Sequence, residues 1–360
     1  MKKALVILLT LAVAGGLFAQ TFTWSGNFEG GLGVYMLDAN DDPVFGSVGG
    51  HGNVNGARAQ VALNAVNASG NAGFTGSLRG TAAGGDLGVI FNSGFGWVRF
   101  AEMVELRAGR YEDAYLGTKI PFVDGTLFNQ WGMAAYLLPM DMVTVGFSLF
   151  SDDLAKDNKT WEDGGLGIWG GVGLDFGVAN VQAQIKYKNT AAEALFGVGV
   201  NVLDFLPIHA QLKLNNLHEY GDTGEMIAHA FVGINLIQDL GITLGGGVGI
   251  SSVEDTDMAM VFGGNVSFRL GNIVPSLDLW YVMGGEYAMY DAFGSGAAVG
   301  AGNFNSKYDT DYSYFSLRPR LDVGIGGNTL WTIGALFNVG IGDAIEGTDI
   351  GFFTGARISF

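Results

Sequence analysis

From Thr21 onward, apolar residues recur at every second position. Phe22, Trp24 and Phe28 share one parity, as do Val181, Ala183, Ile185 and Tyr187; Phe196, Val198, Val200 and Val202; Ile208, Ala210, Leu212 and Leu214; and Trp331, Ile333, Phe337, Val339 and Ile341. A period of two predicts β-strands, because successive side chains on a strand point to opposite faces. The intervening positions hold Gly, Ser, Thr, Asn, Gln, Lys and Arg, with few acids in mid-strand. The last twelve residues show the pattern most clearly. Ile350, Phe352, Ala356, Ile358 and Phe360 lie on one face with Thr354 as its polar member, and Gly351, Phe353, Gly355, Arg357 and Ser359 lie on the other. A greasy terminal strand is an aggregation hazard unless it is covered. The wall of a transmembrane β-barrel covers it, with lipid on one side and a polar lumen on the other.

The connections alternate in length. Short ones fall at Asn67–Asn71, Ala101–Met103, Leu138–Asp141, Gly177–Asn180, Asp204–Pro207, Gln238–Leu240, Gly271–Pro275 and Gly326–Thr329, three of them with a turn-forming proline. Long or acidic ones fall at Leu37–Asn53, Glu112–Gln130, Asp152–Gly164, His218–Glu225, Ser252–Asp257, Glu286–Asp311 and Gly342–Thr348. Two short hairpins on that same side are near Ala82–Gly85 and Asn189–Ala192. This predicts an all-β, antiparallel up-and-down barrel with short periplasmic turns and long acidic external loops. An even strand number returns both termini to one side; the count favours 18, with 16 as the alternative. The apolar register slips between Leu87-Val89-Phe91 and Val98-Phe100, which predicts a bulge around Asn92–Gly94. Pro319 inside a strand pattern predicts a second bulge or an extension beyond the membrane.

Composition narrows the compartment. Lys2 and Lys3 precede an apolar run from Ala4 to Val13 and then small residues, the form of a secretory signal peptide over residues 1–19; residues 20–360 then form a single barrel domain. No later segment offers the roughly 20 continuous apolar residues of a membrane helix. The absence of cysteine removes disulfides, thiolate metal sites and cysteine nucleophiles. The net charge of −17 becomes −19 without the two leader lysines, which argues against nucleic acid as a partner.

The charges are sorted by position. Acids crowd the long connections, while Arg58, Arg79, Arg107, Lys186, Lys188, Lys213, Arg269, Arg318, Arg320 and Arg357 sit on the polar strand faces. A charge facing lipid at mid-membrane costs about 2–4 kcal/mol. These bases therefore point into the lumen, which must be wet or must supply paired acids. Asp175, Asp278 and Asp322 are strand-face acids able to pair with them locally, too few for the set, so a water-filled pore is the simpler answer. The acidic rim acts over a Debye length, about 8 Å at physiological salt.

The segment Trp97-Val-Arg-Phe100, Val104-Glu-Leu-Arg-Ala-Gly-Arg110 and the long connection after it resemble the general diffusion porins of bacterial outer membranes. The terminal Phe360 on its alternating strand is similar to that family's assembly signal. The resemblance implies that Glu112–Gln130 folds into the pore, with Glu112, Asp113, Lys119 and Asp124 in a constriction faced by Arg79 and Arg107. It adds Arg110 to the lining wall. Leu106-Arg-Ala-Gly-Arg110 departs from the family's tighter Leu-Gly-Arg spacing, which leaves the roles of Arg107 and Arg110 open. Phe122, Leu127, Phe128 and Trp131 favour the inward fold, because a freely exposed loop rarely carries so many apolar groups. The resemblance also implies passive diffusion of small hydrophilic solutes and ions, contact with outer-membrane lipid, delivery to the barrel-assembly machinery through Ile358 and Phe360, and a homotrimer. No cofactor or metal is expected.

The residues bear on three other readings. His51, His209, His218 and His229 lack a serine motif or acid pair, so no enzyme is expected. A specific sugar channel would want a line of lumenal aromatics; Trp169, Phe231, Trp280 and Phe353 have the parity but are scattered. Long external loops would suit an adhesin or structural barrel, but a wall of 16–18 strands leaves an aqueous channel.

Overall fold

The computed structural model describes residues 19–36, 44–48, 57–83, 86–113, 115–116, 126–151, 166–188, 191–201, 203, 205–217, 224–251, 258–283, 313–341 and 348–360. Residues 1–18 of the expected leader, Lys119, Asp124 and most of the long acidic connections lie outside these residues, while Ala19, its expected last residue, begins the first strand. The strands are β1 (Ala19–Met36), β2 (Val44–Val48), β3 (Ala57–Asn67), β4 (Ala72–Ala83), β5 (Asp86–Phe100), β6 (Val104–Glu112), β7 (Asn129–Met140), β8 (Val143–Ser151), β9 (Gly167–Asp175) and β10 (Ala179–Lys188). They continue as β11 (Ala191–Val200), β12 (Ile208–Asn215), β13 (Glu225–Ile237), β14 (Leu240–Ser251), β15 (Ala259–Phe268), β16 (Ile273–Met283), β17 (Ser313–Gly326), β18 (Thr329–Ile341) and β19 (Thr348–Ser359).

From β3 to β19 each strand pairs antiparallel with the next, and β19 pairs with β1 from Asn27↔Ser359 to Met36↔Ile350. The sheet is closed. On its other edge β1 meets β3 along its lower part, ending at Glu29↔Arg58, and β2 along its upper part, from Gly31↔Val48 to Tyr35↔Val44. β2 and β3 thus share one place in the wall, which gives a barrel of 18 strands. The even count and the pairing of the last strand with the first agree with the sequence pattern.

Register assigns the faces. Met133, Phe147, Leu149, Ile185, Phe196, Phe262, Leu279 and Phe352 stand outward and exposed. Ser148, Gln182, Gln184, Gln211 and Thr332 stand inward and buried. A continuous apolar exterior of this kind suits hydrocarbon and would not stay dispersed in water.

The predicted bulge is present. Ser77 pairs with Ser93 and Leu78 with Phe91, leaving Asn92 as the extra residue between them. The expectation for Pro319 is corrected. Pro319 pairs with Leu277 on β16, and towards β18 the ladder only skips Arg318 and Pro319 before resuming in unchanged register at Arg320↔Gly334. A proline removes one donor, and donors of successive residues point to opposite neighbours, so the local loss does not require an extra residue. Pro139 and Pro275 also lie within strand ends, not in turns; Pro139 falls where the β7–β8 register shifts.

Candidate functional site

β5 and β6 form a hairpin over Ala101–Met103; the Met103 N–H donates to the Phe100 carbonyl at 3.0 Å, and Ala101 and Glu102 between them both have left-handed backbone, with φ of 49° and 59°. The hairpin sets Arg99, Glu105 and Arg107 on the inner wall. Glu105 is 2% exposed. Its Oε1 accepts from Arg107 Nε at 2.6 Å; its Oε2 accepts from Arg99 Nη2 at 2.6 Å and from the Tyr115 hydroxyl at 2.7 Å. The Arg107 guanidinium lies among the rings of Phe95, Tyr111, Tyr115 and Tyr136, 4.7–5.8 Å from their centroids. Such a contact is worth about 0.5–1 kcal/mol at an exposed site and about 2 kcal/mol when desolvated. Tyr115 lies beyond the end of β6, so this network ties the start of the third long connection to the barrel wall.

Asp113 turns the chain inward. Its carboxylate accepts from the backbone N–H of Tyr115 at 3.1 Å and of Leu116 at 2.9 Å. Burial pushes its pKa above the usual carboxylate range, and the two N–H donors only partly oppose that. Burial and the neighbouring Glu105 likewise raise Tyr115. Leu116 then rests on Gly171 and Gly173 of β9; a Cβ at Gly171 would lie 2.7 Å from Leu116 Cδ1. The floor must be glycine for the leucine to reach it.

The returning end is seated nearby. The N–H of Leu127 donates to Gln184 Oε1 at 3.0 Å, an acceptor shared with Trp169 Nε1 at 3.1 Å. Phe128 is fully buried, with ring centroids 4.9 Å from Tyr111, 5.3 Å from Trp169 and 5.8 Å from Phe150. The N–H of Asp113 donates to the Phe128 carbonyl at 2.9 Å and clips the two ends together. Tyr111, Tyr136, Phe150, Trp169, Leu195, Leu116, Leu127 and Phe128 form one buried apolar cluster on the inward side of β6–β11. The described ends of the connection therefore pack inside the barrel; residues 117–125, with Lys119 and Asp124, lie outside the described set.

The other site residues are distributed as follows. Arg79 is opposite Gln60, Lys188 opposite Gly167, Lys213 opposite Leu195, and Arg357 opposite Glu29, all on the inward parity. Lys186 pairs with Glu193 at 3.3 Å and Arg320 with Asp322 at 3.0 Å. Arg318 is buried, with its guanidinium 5.3 Å from the Phe353 ring centroid. Phe360 pairs with Gly26 through both backbone groups, and Ile358 faces outward.

The expectations for five residues change. Arg107 is held by Glu105 and aromatic rings and does not confront an acidic loop across open water. Arg110 pairs with Gly94 and Trp131, and Glu112 with Asn129; strict alternation from inward Tyr111 puts both on the outward parity. Asp113 is buried beneath its own turn instead of lining a channel. Arg269 lies just past β15, exposed, its N–H bonded to the Asp239 carbonyl in the turn region. The sequence also under-counted the lumenal acids: Glu105 and Glu193 share parity with Arg107 and Lys186, and that parity was the available signal. Trp169, Phe231, Trp280 and Phe353 do face inward but are at most 4% exposed, so they offer no stacking track to a sugar.

No family model matches the sequence, and no curated protein matches it. The three-dimensional arrangement does have counterparts among solved structures. Pseudomonas aeruginosa OccD3 superposes with a TM-score of 0.60 at 10% identity, over 95% of this chain and 92% of that one. OccK11 of the same organism gives 0.59 at 9% identity over 95% and 97%. An anion-selective porin from Comamonas acidovorans gives 0.56 at 13% identity over 94% and 99%. The fold is that of outer-membrane porins. In this porin fold the seated segment lies on β6–β11, and β17, with Arg318 and Arg320, is nine wall strands from β8, directly across the barrel.

Proposed function

We propose that the protein is a porin of a bacterial outer membrane, a passive channel for small hydrophilic solutes and ions with a preference for anions. The observation that carries this reading is the inner wall itself: a closed 18-strand barrel with polar and charged inward positions, into which both ends of one long connection are packed. Tyr115, Leu116, Leu127 and Phe128, near the two ends of that connection, pack against the inner wall, which supports the inward fold expected of Glu112–Gln130. Arg320, beside Asp322, and Arg357 on the arc across from that connection, and Arg79 two strands from its edge, add positive potential to the lumen. The anion-selective porin among the similar folds supports the same sign. Ile358 and Phe360 present the closing strand to the assembly machinery, and the chain forms a homotrimer embedded in outer-membrane lipid.

Single-channel recording in planar bilayers under a salt gradient tests this. The wild type should give stepwise conductance with a reversal potential on the anion side, and replacing Arg79, Arg320 and Arg357 together by Gln should move it towards cations. A protein that inserts without conductance steps would sink the channel reading and leave the long loops as an adhesive surface.

A further inference from the structure

Of the strand bases whose side chains are described, Arg110 alone has outward parity. It sits at the external end of β6, level with Trp131 on β7 and Ser151 on β8. Below this row the outward positions are apolar: first Gly96, Ala108, Met133 and Leu149, then Val98, Leu106, Ala135 and Phe147. Arg110 and Trp131 therefore mark the external boundary of the hydrocarbon, where arginine and tryptophan both belong. The Arg110 Nε is buried and has no hydrogen-bond partner among the described residues. The side chain as a whole is half-buried at the interface, and its cation is free to meet an anion from outside the chain.

Directly beneath it is a groove of about 490 Å³ with almost wholly apolar walls. Its floor is made of small residues, Gly96, Ala108 and Ala135, and its sides by Leu106, Met133 and Leu149. One row separates Arg110 from this floor, about 7 Å along the strand. The cation and the groove thus follow the order of a lipid molecule, with the headgroup at the interface and the chain below it.

We propose that Arg110 and this groove bind an acyl lipid bearing an anionic phosphate headgroup. The guanidinium donates to the phosphate oxygens, the pairing for which its planar fork is suited, and one acyl chain lies in the groove. Charge complementarity selects an anionic lipid for this cation at the hydrocarbon boundary, with the outward Glu112, two residues further along β6, as the competing charge. The site is on the outside of the wall and independent of what passes through the lumen.

The test is native mass spectrometry of the folded protein in detergent, supplied with equal amounts of dimyristoyl phosphatidylglycerol and dimyristoyl phosphatidylcholine. The wild type should retain the anionic lipid about tenfold more than the zwitterionic one, the effect of one charge-assisted hydrogen bond. Arg110→Gln should remove the preference, and Arg110→Lys should keep part of it. Ala108→Leu, which fills the groove floor and leaves the cation in place, should reduce retention of both lipids. Equal retention of the two lipids by the wild type overturns the proposal, as does unchanged retention in both Arg110→Gln and Ala108→Leu. If Ala108→Leu instead turns an oligomer into monomers with lipid retention unaltered, the face is a contact between copies and the lipid site is wrong.

Discussion

Glu105 shows how much one inward side chain can organise. It is buried, holds two arginines and receives the Tyr115 hydroxyl that tethers the inserted connection. Removing one member of a buried ion network costs about 3–5 kcal/mol, because the remaining charges lose their partner in a poorly solvated place. Glu105→Gln should therefore lower unfolding stability in detergent by about that amount. It should also release the Tyr115 end of the tether, seen as larger open-channel current fluctuations. Adding Arg107→Met should recover part of the stability, because it removes one orphaned charge. Asp113 makes a second prediction at the same scale. Its folded pKa lies above the ordinary value, so the seated arrangement is favoured by the protonated acid. That contribution is full below the ordinary carboxylate pKa and is lost as pH rises through the raised one. Amide exchange at Tyr115 and Leu116, corrected for its intrinsic pH dependence, should quicken across that window. Asp113→Asn should flatten the dependence.

At the level of single strands, the Asn92 bulge makes a deletion informative. Removing Asn92 leaves Phe91 followed by Ser93, and every other residue of β5 keeps its face, so the shortened protein should fold and resist heat much as the parent does. Removing Gly88 cannot be absorbed in that way; the residues on one side of the deletion change faces, and the protein should fail to give the compact heat-modifiable band on electrophoresis. The bulge is legible in the sequence because the apolar positions change parity between Phe91 and Val98. The Pro319 ladder gap was not legible, since a missing donor and an extra residue disturb the apolar pattern alike. The same limit explains the site. Strand parity identified Lys186, Lys213, Arg320 and Arg357 as inward. It would also have separated Arg107 from Arg110, but the motif resemblance grouped them. Which bases are paired depends on cross-strand neighbours such as Glu193, and which loop residues are buried depends on glycines two or three strands away, such as Gly171. Neither relation is local in sequence.

The molecule as a whole depends on one seam. β19 closes on β1, and the Phe360 ring lies against Gly26, where an added Cβ would be 2.5 Å from Phe360 Cζ and 2.7 Å from the Gln60 carbonyl. Gly26→Val should destabilise the closed barrel by about 1–3 kcal/mol, the usual cost of overpacking. Urea titration in micelles would measure it. Phe360→Ala in the same background should restore only part of that loss, because the clash with the Gln60 carbonyl remains.

The seam is also stepped. β1 overhangs the end of β19: Ala19 to Ser25 are held along the β3 edge alone, while Asn27 to Glu29 are gripped on both sides. Under mechanical load this makes the barrel directional. A pull applied at Ala19 would shear off bonds one at a time at low force, then meet a sharp rise where the second row of bonds begins. A pull at Phe360 would meet both neighbours of β19 from the outset, so the last strand, not the first, sets the force at which the barrel is torn open.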